Sequence, residues 1–177
     1  NRTRYEYDGN GNRTAVIDAE GGRTSYTYDA LNRLTTSTNQ IGDTKSYQYD
    51  ACGNLITYTD GEDNSIDYDY DQLNRQIRAD YPDSASLTYS YDKAGNLLGM
   101  TDSSGTTTYA YDKLNRLVKE INPELKQNTY TYDRAGNVIR KNLDGTIQNF
   151  TYDLDNRLTG VSRNGSPAVA YTYDLSG

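Results

Sequence analysis

The dominant hydrophobic–polar pattern is an aromatic–polar–aromatic triplet closed by an aspartate. It appears as Tyr5, Tyr7 and Asp8; Tyr26, Tyr28 and Asp29; Tyr47, Tyr49 and Asp50; Tyr68, Tyr70 and Asp71; and Tyr89, Tyr91 and Asp92. It continues as Tyr109, Tyr111 and Asp112; Tyr130, Tyr132 and Asp133; Phe150, Tyr152 and Asp153; and Tyr171, Tyr173 and Asp174. The residues between the rings, among them Glu6, Thr27, Gln48, Asp69 and Ser90, are mostly polar. Two rings two residues apart share one face of a strand but fall on opposite sides of a helix. The triplet therefore predicts a half-buried β-strand. A second strand, rich in Leu, Ile, Val and Thr, is expected after each turn, over Leu34–Thr38, Leu55–Thr59, Leu97–Thr101, Leu117–Ile121, Val138–Asn142 and Leu158–Ser162. A polar loop then leads to the next triplet, as at Asp18–Gly22, Asp102–Gly105 and Asn122–Lys126, with Pro82, Pro123 and Pro167 placed in such loops. Each unit reads as a β-hairpin, and successive hairpins read as one curved antiparallel sheet.

The second ring of the triplet recurs in steps of 21, 21, 21, 21, 20, 21, 20 and 21 residues. A slower rhythm rides on this one. Three residues after each motif Asp stand Gly11, Asn32, Gly53, Asn74, Gly95, Asn115, Gly136, Asn156 and Gly177, in strict alternation. Glycine and asparagine are the residues that most readily adopt positive φ, so this slot is expected in the left-handed region of a tight turn. The next position alternates as well: Asn12, Arg33, Asn54, Arg75, Asn96, Arg116, Asn137, Arg157. The sequence unit is thus about 42 residues, made of two similar hairpins. The motif Asp reads as a turn former whose carboxylate accepts from backbone amides two residues on, in preference to a catalytic or metal-binding group.

Composition changes this picture in one respect. Leu, Ile, Val and Phe make up 28 of the 177 residues, about 16%, and the net charge is −7, values that usually mark disorder. The 19 Tyr, 17 of them in the triplets, reverse that expectation. Such a composition suits a thin sheet better than a thick core. The absence of His excludes a Ser-His-Asp triad and any His-bearing metal site, and the single Cys52 excludes an intrachain disulfide. Cys52 falls in a turn slot filled elsewhere by Leu, Ala, Asn or Asp and reads as an incidental thiol. No apolar run approaches 18 residues, and an acidic chain is a poor match for nucleic acid. The segment Asp60-x-Glu62-Asp63 has the start of a calcium loop but lacks its sixth-position Gly and twelfth-position Glu, so it reads as a turn. Neither a cofactor nor a catalytic group is expected, since no Glu pair recurs at acid/base spacing.

At Tyr-x-Tyr-Asp-x-x-Gly-Asn and Tyr-x-Tyr-Asp-x-Leu-Asn-Arg, the chain resembles the tyrosine–aspartate (YD) or Rhs repeats of bacterial polymorphic toxins, insecticidal toxin-complex C subunits and teneurins. Stretches such as Tyr28–Leu34 and Tyr91–Leu97 look bacterial. The resemblance covers the whole chain, and it implies a β-sheet spiralling into a hollow shell around a toxic C-terminal domain. The proline-rich core segment that usually precedes such a domain has no counterpart here, so the self-cleaving aspartates of that segment carry over to no residue.

The expected organisation is therefore a single array, residues 1–177, of about eight repeats excised from a longer protein, either a spiral segment or a near-closed barrel. At about 4.8 Å per strand, 16 strands would extend roughly 77 Å, too wide to stay flat. A β-propeller of 42-residue blades and a β-helix are the competing folds. The function expected is that of a non-catalytic wall segment of a secreted or cell-surface bacterial protein. Its partners would be the rest of its own polypeptide, with edge-to-edge self-association as a liability of unpaired strands. A carbohydrate- or cell-surface-binding adhesive repeat, with Tyr rings stacking on sugars, is the alternative.

Overall fold

The computed structural model describes residues 2–174, with Pro167 and Ala168 described by their backbone alone; Gly177, in the slot of the ninth turn, lies outside this range. The fold is all-β and its strands pair antiparallel with their sequence neighbours. The first compact unit spans Asn1–Thr88. It contains β1 (Arg4–Tyr7), β2 (Arg13–Ile17), β3 (Arg23–Tyr28), β4 (Leu34–Thr38), β5 (Thr44–Tyr49), β6 (Leu55–Thr59), β7 (Ser65–Tyr70) and β8 (Gln76–Asp80), and β9 (Ser86–Tyr91) begins in it. The second unit, Tyr89–Gly177, contains β10 (Leu97–Asp102), β11 (Gly105–Tyr111), β12 (Leu117–Ile121), β13 (Gln127–Tyr132), β14 (Val138–Leu143), β15 (Thr146–Tyr152), β16 (Leu158–Arg163) and β17 (Ser166–Ala170). Sequential pairing from β1 through β9 runs past the four strands of a propeller blade, and its antiparallel sense excludes a β-helix.

Both turns of the repeat have the same backbone. At the motif turn, the Gly11 N–H donates to the Asp8 carbonyl (3.2 Å) and the Asp8 N–H to the Asn12 carbonyl (2.9 Å). At the opposite edge, Gly21 donates to Asp18 (3.3 Å) and Asp18 to Gly22 (2.9 Å). The pattern repeats at Asn39–Asp43, Asp60–Asn64, Tyr81–Ala85 and Asn122–Lys126. This is the three-residue hairpin loop, a type I turn followed by a left-handed residue. Where the loop shrinks to two residues, the strands lengthen: β14 and β15 close on Asp144 (φ 48°) and Gly145 (φ 90°), and β16 and β17 on Asn164 (φ 49°) and Gly165 (φ 84°). Shorter turns at Ser103-Ser104 and Asp144-Gly145 account for the two 20-residue steps in the repeat. These two turns and the one at Asn164-Gly165 carry β10, β14 and β16 one residue beyond their expected ends, to Asp102, Leu143 and Arg163. Pro167 stands inside β17, opposite Ser162, where a loop was expected. The two-residue Asn164-Gly165 turn brings the strand in early, and a register irregularity at Val161/Ser162 accommodates it.

The motif hairpins β1–β2, β3–β4, β5–β6, β7–β8, β11–β12, β13–β14 and β15–β16 each carry a β-bulge. In the first, Glu6 faces Ala15 and Tyr7 faces Arg13, so Thr14 has no opposite number. The same slip leaves out Thr35, Ile56, Ile77, Val118, Ile139 and Thr159. The bulge explains why apolar residues occur in adjacent pairs here. Leu55 shares the Tyr face by pairing with Tyr49, and Ile56 shares it by alternation from Tyr58. The sheet is thinly covered: among the described residues the buried apolar positions are Ala79, opposite Tyr68 on the Tyr face, and Ala15, opposite Glu6 on the other, and no large side chain is fully buried. The opposite face carries cross-strand hydroxyl pairs, Thr27–Thr36 (2.6 Å), Thr38–Thr44 (2.8 Å), Thr59–Ser65 (2.9 Å) and Thr101–Thr106 (2.8 Å). The thin wall read from composition is what forms.

The left-handed slot takes Gly or Asn at the motif turns, but Leu125 occupies it at φ 63° in the Asn122–Lys126 turn, with its side chain 82% exposed. A Leu there bears a conformational cost that Asn largely escapes, without gaining contacts in return. Leu125→Asn should stabilise the chain by roughly 1 kcal/mol, read as a higher midpoint in urea; an unchanged or lower midpoint would contradict the strain assigned to this turn.

Candidate functional site: the aspartate turn edge

Each motif Asp closes its own turn. Asp29 Oδ1 accepts from the N–H groups of Leu31 (2.9 Å) and Arg33 (2.9 Å), while Oδ2 accepts from Arg33 Nε (2.7 Å). Asp112 repeats the set with Leu114, Arg116 N–H and Arg116 Nε, and Asp71 and Asp153 do the same with Arg75 and Arg157. In the alternate hairpins the amide of an Asn replaces the guanidinium: Asn12, Asn54, Asn96 and Asn137 donate from Nδ2 to Oδ2 of Asp8, Asp50, Asp92 and Asp133 at 2.8–3.0 Å. These bonds hold the motif carboxyls below their ordinary range: the side-chain bond comes first for Asp8, Asp50, Asp71, Asp92, Asp112 and Asp133, and the Arg backbone amide for Asp29 and Asp153. Each of these carboxylates is engaged within its own turn. The carboxylate of Asp60 is likewise used by its turn, accepting from Glu62 (2.8 Å) and Asn64 (3.0 Å).

The fifth turn residue also reaches the next hairpin, which the repeat pattern alone did not reveal. Arg33 Nη1 donates to the Asp50 carbonyl (2.9 Å) and its guanidinium lies 4.7 Å from the Tyr49 ring centroid. Arg116 makes the same two contacts with the Asp133 carbonyl (3.2 Å) and the Tyr132 ring (4.5 Å), and Arg157 lies 4.8 Å from the Tyr173 ring. Asn at the same position donates instead to the left-handed Asn of the following turn: Asn12 to Asn32 (2.7 Å), Asn54 to Asn74 (2.9 Å), Asn96 to Asn115 (2.8 Å) and Asn137 to Asn156 (2.7 Å). Gly53, Gly95 and Gly136 occupy the left-handed slot in the other turns, at φ 93–98°, and Asn32, Asn74, Asn115 and Asn156 hold it at φ 59–61°.

Tyrosine closes the gap between hairpins. The ladder between β2 and β3 covers Ala15–Ser25, Val16–Thr24 and Ile17–Arg23 and stops short of the motif turns. The ladders between β4 and β5, β6 and β7, and β12 and β13 are equally short. Beyond them the second Tyr of five triplets donates its hydroxyl to a carbonyl of the preceding hairpin. Tyr28 donates to Arg13 (2.9 Å), Tyr70 to Leu55 (2.9 Å), Tyr132 to Leu117 (2.7 Å), Tyr152 to Val138 (3.0 Å) and Tyr173 to Leu158 (2.7 Å). The first Tyr of the triplet packs on the strand opposite it: Tyr47 pairs with Tyr58, ring centroids 5.4 Å apart, and Tyr68 faces Ala79 and Tyr109 faces Glu120. Tyr26 lies under Arg13 (5.1 Å), and Tyr130 faces Lys141, whose ammonium approaches the Phe150 ring at 5.5 Å. Burial raises Tyr49, Tyr68, Tyr70, Tyr109, Tyr111 and Tyr130 above the usual phenol range. Tyr89 and Tyr91 fill the same slots on β9.

The arrangement is an edge on which hairpins engage their successors through a carboxylate turn, an Asn or Arg side chain and, at five joints, a Tyr hydroxyl. Over residues 56–177, more than half of its length, the chain matches the family model described as teneurin YD-shell. The chain belongs to the YD-shell family. The RHS-repeat model matches this YD-shell chain at 1–23, 7–39 and 28–65. No curated protein sequence matches it significantly. Among solved structures, the YD-shell chain is similar to the crystal structure of TcdB2-TccC3-TEV (TM-score 0.72, 22% identity, 89% of this chain and 10% of that one). It is also similar to TcdB2-TccC3-Cdc42 (0.65, 18%, 98% and 12%) and to the Tc holotoxin pore of Photorhabdus luminescens (0.65, 20%, 90% and 12%). At these identities the likeness shows the fold, and the chain spans about a tenth of those proteins.

Sequence inspection missed the turns at the opposite edge as members of the same class. Asp18, Asn39, Asp60 and Asn122 each follow a motif Asp by ten residues and open the same turn, with Gly21, Gly42, Asp63 and Leu125 in the left-handed slot. That ten-residue echo was the available signal.

Two outcomes test this edge. Tyr132→Phe, which keeps the ring and deletes the bond to the Leu117 carbonyl, should cost about 1 kcal/mol in denaturant unfolding, while Tyr26→Phe should be neutral. Because the motif aspartates titrate lower folded than unfolded, their contribution is complete above the ordinary Asp range and is lost as pH falls through it. The melting temperature should therefore hold from pH 7 to about 5 and drop towards pH 3; a flat profile down to pH 3 would refute the role given to these carboxylates.

Proposed function

We propose that this chain is a non-catalytic wall segment of a bacterial β-shell, part of a longer secreted or cell-surface polypeptide, that encloses a C-terminal toxin or effector domain. The observation that carries this reading is the construction of the wall: each hairpin is completed by its neighbours and not by a central core. Such an array can extend by addition of like units, as stability in repeat proteins is a sum of unit and nearest-neighbour terms. It can enclose volume without filling it. The membership in the YD-shell family and the likeness to TccC3-containing structures support the same reading, as does a turn chemistry that commits its carboxylates to backbone amides. The partners are further repeats and the enclosed segment of the same polypeptide.

The glycan-binding alternative has a candidate place in a groove of about 600 Å³ beside Tyr58 with Ser37, Asn39, Lys45 and Asp60 on its walls. A sugar stacked on that ring would find donors and acceptors within reach.

Limited proteolysis of the complete polypeptide that contains this repeat tests the container. The segment downstream should survive protease while the wall is intact and be cut once acid opens the wall. Digestion at the rate of the isolated downstream segment would rule the container out. A glycan array probed with the intact chain, with Tyr58→Ala as control, addresses the alternative.

A further inference from the structure

The alternation of Gly-Asn and Asn-Arg turns makes two chemically different joints. After a Gly-Asn hairpin comes an amide joint, in which the Asn Nδ2 finds the Oδ1 of a left-handed Asn: Asn12 to Asn32, Asn54 to Asn74, Asn96 to Asn115, Asn137 to Asn156. After an Asn-Arg hairpin comes a guanidinium joint, in which Arg finds a turn carbonyl, an aromatic ring or both: Arg33 with Asp50 and Tyr49, Arg116 with Asp133 and Tyr132. At the guanidinium joint the receiving turn has Gly in the left-handed slot, at Gly53 and Gly136. A Gly-Asn hairpin set beside another Gly-Asn hairpin would therefore present its Asn amide to a glycine, which has no side-chain acceptor, and would leave the next Tyr ring without its guanidinium.

We infer that the alternation is a parity code for strand pairing: each hairpin edge accepts a neighbour of the opposite turn type and rejects one of its own. The backbone itself offers no such discrimination, since the motif turns share the same bonds and hairpins of both turn types carry the same bulge. Nearly identical hairpins pair equally well one repeat out of place, which is the condition under which register slips arise. The side chains on the turn edge supply the missing specificity. The same logic defines what the outer edge of β1 fits. It belongs to the Gly-Asn hairpin closed by Gly11 and Asn12, so its partner is a hairpin ending in Asp-x-x-Asn-Arg.

Deletions in frame with the repeat distinguish this from simple additive stacking. Removing residues 23–43 joins Gly22 to Thr44, three residues before Tyr47, and sets two Gly-Asn hairpins side by side. Removing 23–64 joins Gly22 to Ser65, three residues before Tyr68, and preserves the alternation, with Asn12 facing Asn74. Parity predicts that the shorter chain, lacking 42 residues, melts at the higher temperature. Additive stacking predicts the reverse, and finding that order overturns the proposal. Gly53→Asn in the 21-residue deletion restores an acceptor for Asn12 and should recover part of the loss, but should not stabilise the intact chain; equal effects in both backgrounds also overturn it. Should either deletion fail to fold, the intact chain decides through a double-mutant cycle of Asn12→Ala and Asn32→Ala, where parity requires a favourable coupling and strict additivity refutes it.

Discussion

The structure depends on a single constraint: an aspartate that must satisfy a tight turn and at the same time orient the residue that ends it. With Oδ1 on two backbone amides and Oδ2 on the fifth side chain, Asp29 leaves Arg33 one direction in which to extend, across the sheet edge towards Asp50 and Tyr49. A half-exposed ion pair contributes little by itself, because solvent screens it and ordering long side chains costs entropy. Here the pair does something else: it pre-orients a guanidinium, so that contacts with the next hairpin are made by a group already held in place. The local turn thus becomes the means of joining one hairpin to another.

This joining matters because burial cannot do it. With Ala15 and Ala79 as the buried apolar residues among those described, the sheet lacks the layer on which most domains rely. Tyrosine substitutes for that layer. Its ring shields the Tyr face, and its hydroxyl reaches carbonyls beyond the last ladder pair, as Tyr132 does at Leu117. A buried Phe would cover similar area but leave the carbonyl to water. The lone Phe150 sits at a first-ring position, where the neighbouring contact is the Lys141 ammonium and no hydroxyl bond is required.

The hairpins, the left-handed slot and the turn role of aspartate were legible in the sequence because each is a local rule: period two, positive φ, a short side chain beside free amides. The second strands over Leu34–Thr38, Leu55–Thr59 and Leu117–Ile121 fell where the pattern put them for the same reason. What escaped was non-local or disguised. The bulges at Ile56 and Val118 look like broken alternation until pairing shows both apolar neighbours on one face. The turn at Asn122–Lys126 hides its left-handed slot under Leu125, and the Tyr81–Ala85 turn has no carboxylate or amide at its head. Pro167 signalled a loop, yet an Asn-Gly turn before it brings the chain back into the sheet sooner than proline alone suggests.

The alternation of Gly and Asn shows why a correct local reading can still be incomplete. Both residues accept φ near 60–98°, so conformation alone is satisfied by either and cannot account for their strict order. The difference between them lies in what the side chain offers the previous hairpin: Asn32 offers an acceptor to Asn12, whereas Gly53 offers none, in a turn whose own Asp50 carbonyl receives Arg33. An ordering rule that the backbone does not require must be imposed by contacts between units. In a sheet of near-identical hairpins, where neighbouring backbones look alike, those contacts decide which strand is next.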